Sequence, residues 1–258
     1  MSLTSTTIKT IKTKVPDGMT FARLNRLLDV YIAVNREKDA LNREMDQEHQ
    51  GNGKIRHSNF YSEISENIAK FAYYKKHPDK GLPTWNSVKG DLELGEKQLE
   101  VKGFMSDGPS SFGPTEDWDV ILFVDCKGFE SKNFKVYEIN LSNKSDAWRD
   151  IKISGSLFDA SNVPCLPENI DSLKAKALKD LCEKRGLTKA GNKQDVLTKL
   201  KTQAPGSKYK KPMTYGEIAD NNSRGQLRGC FETIFRPQLG DKCELIFDGN
   251  LSNLNNGI

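Results

Sequence analysis

Histidine is scarce in this chain: there are three, His49, His57 and His77. The five cysteines, Cys126, Cys165, Cys182, Cys230 and Cys243, form no C-x-x-C. A structural zinc site needs about four such ligands at close spacing, so none is expected. The cysteine number is odd and no signal peptide precedes them, which predicts reduced thiols in an intracellular, cytoplasmic protein. No apolar run approaches the roughly 18 residues of a membrane span, so no membrane contact is expected. No organic cofactor is expected either. The formal net charge of +4 is too small to argue for a nucleic-acid partner by itself.

What is present is a polar chain of 258 residues, 36% hydrophobic and 29% charged, long enough for a large domain with a small module. Its basic excess is local. From Glu168 to Lys211 there are 12 Lys and Arg against 5 Asp and Glu, leaving 27 against 30 elsewhere.

The stretch Gly90 to Phe104 carries the strongest signal. Leu92 and Leu94 alternate with Asp91 and Glu93; Leu99 and Val101 alternate with Glu100 and Lys102. A period of two predicts two strands with the charges on one face. Gly95-Glu96 suits a two-residue type II′ turn. In that register Leu94 faces Lys97, and Asp91 lies opposite Glu100. Facing carboxylates stand roughly 5 Å apart at Cβ and repel unless something neutralises them. A divalent cation would do so, and Mg²⁺ is commonly held by one or two carboxylates plus water and phosphate oxygens. Lys102 projects from the same face. Two acids that hold a metal, with an ammonium nearby, suit phosphodiester hydrolysis.

Asp91 followed by Glu100-Val101-Lys102 resembles the signature of the PD-(D/E)xK nucleases, which include many type II restriction endonucleases. Gly90 stands where that motif often has proline. The stretches Met105–Pro114 and Trp118–Asp125 also resemble restriction-enzyme sequence. The resemblance implies an α/β (α+β) fold, a mixed β-sheet core flanked by helices. It implies catalysis by Asp91, Glu100 and Lys102, with Mg²⁺ held at Asp91, Glu100 and Val101. It further implies an acid from the preceding helix, either Glu63 or Glu66. Ser65-Glu66-Asn67-Ile68-Ala69 is the more family-like, whereas helical geometry puts Glu63 at the border of the apolar face. Exposed helix acids remain the plainer alternative.

Elsewhere the chain reads as follows. Residues up to Pro16 are a frayed tail or an arm on phosphates. Phe21, Leu24, Leu28 and Tyr31, then Leu41 and Met45, predict an amphipathic helix with one break. Its end, Arg36 to Glu48, is a solvated face or a contact between copies. Ser58 caps a second helix that buries Phe60, Ile64, Ile68 and Phe71. The loop after the hairpin offers amides and hydroxyls, including those of Ser106 and Ser110, to phosphate or base edges; a plain connection fits equally. Trp118–Val124 and Phe134–Leu141 predict central strands, and Trp148–Ile153 an extension of the sheet. Asp119 and Asp125 are assigned no metal.

Near Pro164 the composition shifts. Leu173, Ala177, Leu178 and Leu181 share a helical face, Gly186 ends that helix, and Val196, Leu197 and Leu200 mark a second. Leu178…Leu181, Lys184-Arg185-Gly186-Leu187, Gly191-Asn192-Lys193 and Leu197…Leu200 resemble the SAP motif, a small DNA-binding module. The resemblance puts Arg185, Lys189, Asn192 and Lys193 on the DNA backbone, each contact adding to salt dependence. A packing element with solvated lysines is the alternative. Leu227, Phe231, Ile234 and Phe235 suggest a helix, and Cys243–Phe247 a strand, that return to the core. The expected division is a nuclease core at 1–165, an inserted SAP-like module at 166–204 and a returning segment at 205–258. Asp220–Arg224 and Arg228 are groove contacts or ordinary surface.

The leading expectation is a Mg²⁺-dependent, sequence-specific double-strand endonuclease that acts as a homodimer, because a two-fold protein matches a palindromic duplex. The alternatives are a structure-selective repair nuclease and a non-catalytic SAP-type DNA-binding protein.

Overall fold

A computed structural model describes the chain at residues 19–49, 55, 60–86, 91–153, 161–207, 213–227 and 229–255, without the side chains of 46–49. The tail to Pro16, the expected cap Ser58, Gly90 and Arg228 lie outside these residues.

Helix α1 (Phe21–His49) is continuous, not broken. Leu24, Leu28 and Tyr31, spaced four and three apart, fall on one side of it and are fully buried. Helix α2 (Ser62–Lys76) begins later than expected, after Tyr61, whose side chain makes no capping bond. Phe60 therefore precedes the helix, and its ring packs edge-on against Tyr31 at 5.0 Å between centroids.

Among the described residues six strands follow: β1 (Thr84–Trp85), β2 (Leu92–Leu94), β3 (Lys97–Phe104), β4 (Val120–Asp125), β5 (Asn133–Ile139) and, far along the chain, β6 (Cys243–Asn250). They form one sheet in chain order. Every neighbouring pair is antiparallel except β3 and β4, which run parallel. All of β4 is buried, as its unbroken apolar run requires of a strand covered on both faces. Val120, Leu122 and Val124 join the core beneath α1 and α2. Ile121 and Phe123 join a second core, with Trp118, Trp148, Phe231 and Phe235.

The absence of a side chain at Gly103 lets α2 lie close on β3. A Cβ there would stand 2.6 Å from both Cβ and Oγ of Ser65, inside any van der Waals contact. Since Ser65 Cβ is fixed to the helix backbone, the helix itself would have to move. Gly103→Ala is expected to cost about 1–3 kcal/mol of stability, read by chemical denaturation.

The expected strand at Trp148–Ile153 is corrected. Asp146–Trp148 is a 3₁₀ turn, and Lys152 makes a single bridge to Thr214. A buried indole needs an acceptor, and Trp148 Nε1 finds it at Ser142 O, 2.8 Å away. That bond and the Trp148 N–Ser145 O bond of 3.1 Å curl the chain off the sheet.

The chain on either side of the inserted helices meets at Ile153 and Met213, where Ile153 N donates to Met213 O at 2.8 Å. Between these points lie helices α3 (Ala175–Lys184) and α4 (Lys193–Thr202). They enclose a core of their own, with Ile170, Leu178, Cys182, Leu187, Val196, Leu197 and Leu200. Ala177 is exposed, and Cys182 is the residue that turns inward. Helix α5 (Tyr215–Asp220) and a π-helical turn, Phe231–Phe235, then cover the second core. The expected helix is thus reduced, among the described residues, to the short π-helical turn Phe231–Phe235. β6 closes the sheet against β5. None of the five cysteines is in a disulfide. Among the described residues no helix is long and apolar enough to cross a membrane.

Candidate active site

The hairpin has the register its sequence predicts: Leu94 pairs with Lys97 and Leu92 with Leu99. Gly95 takes φ 61° at the turn, and Glu96 has no positive φ, as a type II′ turn requires. Continued by one residue, the register sets Asp91 opposite Glu100. Asp91 Oδ2 accepts a hydrogen bond from Val101 N at 2.8 Å. Val101 turns its side chain into the first core, so a cation could reach this residue only through its carbonyl oxygen.

Glu100 and Lys102 lie on the other face of β3, and Lys102 Nζ is 2.5 Å from Glu100 Oε1. Lys102 Nζ also lies 3.0 Å from Glu116 Oε1. Arg224 Nη2 is 3.2 Å from that same oxygen. Neither Glu116 nor Arg224 belongs to the hairpin, and neither was expected here. Glu116 lies late in the loop that joins β3 to β4, and Arg224 follows the inserted helices. No periodicity marks them, because a loop has none and the contact between them spans more than a hundred residues.

The helix acid separates cleanly. Glu66 is buried and Glu63 is exposed. The amphipathic wheel favoured Glu63, but α2 is buried all the way round from Ile64 to Tyr73, so it has no polar face to read. Burial, then the charge of Asp91, pushes the Glu66 carboxyl up to about 7. Burial also pushes Glu100 up to about 7, with Asp91 adding to it and Lys102 opposing. Asp91 is raised by burial, against the pull of Val101 N–H and Lys102. Burial works against the Lys102 ammonium, yet Glu100 and Glu116 outweigh it and hold its pKa above the usual lysine value.

These shifts set a stability profile. A carboxyl raised in the folded chain holds its proton more tightly there than when unfolded, so the folded state loses stability as pH rises from about 4.5 through about 7. Metal-free protein should therefore melt at lower temperature at pH 8 than at pH 6. Calorimetry across that range checks it.

The cluster holds four carboxylates, Glu66, Asp91, Glu100 and Glu116, against two cations, Lys102 and Arg224. Fully ionised, it is two charges short of neutral, which one divalent cation would supply. Among the described residues no set of three or more His, Cys, Asp and Glu converges as a ready cage. Mg²⁺ does not need one, since it keeps several waters and takes one or two carboxylates. The oxygen donors of Asp91 and Glu100 suit such a hard ion.

The six nucleic-acid candidates fare differently. Arg185 is half-buried; its guanidinium donates to Pro164 O, and its carbonyl accepts from Gly206 N. It ties together the two ends of the inserted helices. Asn192 caps α4, accepting from Gln194 N and Asp195 N at 2.9 and 3.0 Å. Ser106 Oγ donates to Gly108 O at 3.0 Å within its own loop. Lys189 is exposed beside Glu183 at 3.0 Å. Ser110 and Lys193 are exposed. Asp220 and Arg224, read as possible groove contacts, have internal partners: Arg149 pairs with Asp220 at 3.1 Å, and Arg224 with Glu116.

Comparison with known proteins places these elements. A search of curated proteins and a search of solved structures each found no match. The SAP domain model matches residues 169–203, the span of α3 and α4. The family model described as Bsp6I restriction endonuclease matches residues 23–156, more than half of the chain, from α1 past the end of β5. That span contains the hairpin and all four clustered carboxylates, and the chain belongs to the Bsp6I restriction endonuclease family.

Proposed function

We propose that the protein cuts both strands of DNA at a defined sequence in a Mg²⁺-dependent hydrolysis, on the pattern of the PD-(D/E)xK type II enzymes. The observation that carries this reading is the convergence of Asp91, Glu100 and Lys102 at one end of the hairpin. Asp91, Glu100 and the Val101 carbonyl hold the ion. Bound there, Mg²⁺ supplies a water of lowered pKa and offsets charge on the phosphate. Lys102 orients the attacking water and balances charge that develops on the phosphate oxygens. Glu66, buried beside Asp91, orients a second ion, a role for which exposed Glu63 is poorly placed.

The SAP domain supplies grip on the backbone. Its exposed Lys193 and Lys189 face solvent and add charge contacts that weaken with salt. Arg185 and Asn192 serve that grip by holding the module's shape. Ser110, exposed on the loop that begins beside the site, is the better placed of the two loop serines to touch DNA. We further propose a homodimer joined along α1. Val30, Val34 and Leu41 are exposed at 52%, 41% and 40%. Their spacings of four and seven put them in one narrow stripe, an apolar seam that the core does not cover.

Incubation of the purified protein with unmethylated viral DNA and Mg²⁺ tests the reading. Discrete fragments with uniform ends are the expected result. A smear would favour a non-specific nuclease, and cleavage confined to branched or nicked DNA a repair enzyme. Intact DNA under every divalent cation would leave a DNA-binding protein. Sedimentation with and without a short duplex reads the stoichiometry, and a monomer in both would remove the dimer.

A further inference from the structure

The loop between β3 and β4 is not free to move independently of the chain beyond the SAP domain. The two are paired along their backbones. Phe112 N donates to Gly225 O at 3.0 Å, and Gly225 N returns a bond to Phe112 O at 2.7 Å. Leu227 N donates to Pro109 O at 3.0 Å, and Gly229 N to Asp107 O at 2.9 Å. Phe112 anchors the ribbon, with its ring 5.5 to 5.8 Å from those of Trp118, Phe123, Trp148, Tyr215 and Phe235.

Arg224 stands at the end of this ribbon nearest the acids. Its Nε donates to Thr115 Oγ1 at 2.8 Å, its Nη1 to Ser111 Oγ at 3.3 Å, and its Nη2 reaches Glu116 Oε1 at 3.2 Å. Three donors of one rigid fork meet three acceptors of one loop, a match a lysine could not make. Glu116 is held on its other side as well, since Asn143 Nδ2 donates to its carbonyl. Its side chain is only 12% exposed. Oε1 takes both cations, while buried Oε2 has no hydrogen-bond partner.

We propose, on the reading that Lys102 acts at the attacking water, that Arg224 positions Lys102 through Glu116. Lysine has a flexible four-carbon stem and loses its orientation unless anions fix it. Glu100 cannot be the sole anchor, because its oxygens are also wanted by the cation. Glu116 gives the ammonium an anion of its own, and Arg224 fixes where that anion stands. Arg224 is thus a positioning residue supplied from the far side of the SAP insertion.

The test uses full-length Glu116→Gln, Arg224→Gln and the double variant, with Arg224→Lys and Glu116→Asp as milder changes should a first variant fail to fold. Competitive acetylation, read by mass spectrometry, compares Lys102 with exposed Lys193. Lys102 should label several-fold faster in either single variant and no faster in the double, since two residues acting through one contact are not additive. Single-turnover cleavage at saturating DNA should fall about tenfold or more, a loss in kcat and not in KM. Duplex affinity measured in Ca²⁺ should be unchanged. Lys102 labelling unchanged in both single variants, with a wild type that cuts DNA, would overturn the clamp alone. So would an Arg224→Gln effect confined to DNA affinity, which would make Arg224 a DNA contact. A wild type that cuts no DNA would overturn the nuclease reading and, with it, the clamp's part in catalysis.

Discussion

Asp91→Asn should abolish cleavage and, at the same time, raise the melting temperature of the metal-free protein. The activity loss is expected at roughly 10³-fold or more, since the proposed ion loses one of its two carboxylates and with it the position that offsets charge on the phosphate. The fold should survive. Asp91 supports the hairpin by accepting from Val101 N, and an asparagine amide oxygen accepts the same bond. What the substitution removes is one negative charge from a buried group of four. Asp91 raises both Glu66 and Glu100, so its loss relieves both. The gain has a sign and a window. All three carboxyls are raised in the folded chain, by burial first and, for Glu66 and Glu100, by the charge of Asp91 as well, so ionising them costs stability above about pH 7, and that cost vanishes as they take up protons towards pH 4. The variant should therefore be more stable than the parent at pH 8 and equal to it near pH 4. A gain of about 1 kcal/mol would raise the melting temperature by about 2–4 °C in a chain near this size. Added Mg²⁺ should stabilise the parent at pH 8 and leave the variant unmoved. Cleavage retained within tenfold would remove Asp91 from the site.

Such a pairing of lost function with gained stability is expected where like charges are held together for a task. It also explains why part of the site is visible in sequence and part is not. Asp91, Glu100 and Lys102 are legible because a strand has a period of two and Gly95-Glu96 sets the turn, so twelve consecutive residues fix their own geometry. Glu66 is half legible: it lies on a helix that sequence identifies, but α2 is enclosed on every side, and its facing cannot be read from polarity. Glu116 and Arg224 are illegible. They meet because Asp107, Pro109 and Phe112 pair with Gly229, Leu227 and Gly225, and those are backbone bonds that no side-chain pattern announces. The SAP helices show the converse. Arg185 and Asn192 fit a motif by residue type, yet their functional groups close the module and cap α4. A basic or polar side chain at a helix end serves the helix as readily as it serves a ligand. Trp148 fails for a third reason, since its β propensity was outweighed by the indole's need for an acceptor at Ser142.

Lys102→Ala should match Asp91→Asn in activity and oppose it in stability. Cleavage should fall by about 10²–10⁴-fold, the range for removing a positioned proton-handling or charge-balancing group. Duplex affinity in Ca²⁺ should change little, because the SAP domain is untouched and Arg224 still holds the loop at Ser111, Thr115 and Glu116. The stability change has the reverse sign. Lys102 touches Glu100 at 2.5 Å and Glu116 at 3.0 Å, with side-chain exposures of 18%, 6% and 12%. Taking one partner from a buried pair leaves an uncompensated charge and typically costs about 3–5 kcal/mol. Here that cost depends on pH. Lys102 lowers the pKa of Glu100, which still stands at about 7. Without the ammonium the carboxyl rises further and takes up a proton, so the penalty shrinks at pH 5 and is full at pH 8. Melting temperatures of the two variants should thus diverge as pH rises, Asp91→Asn above the parent and Lys102→Ala below it, and converge in acid. If both variants moved the same way at pH 8, the cluster would not be a set of crowded acids moderated by one lysine. If Lys102→Ala cut DNA at the parent's rate, the ammonium would have no part in the chemistry, whatever its place in the fold.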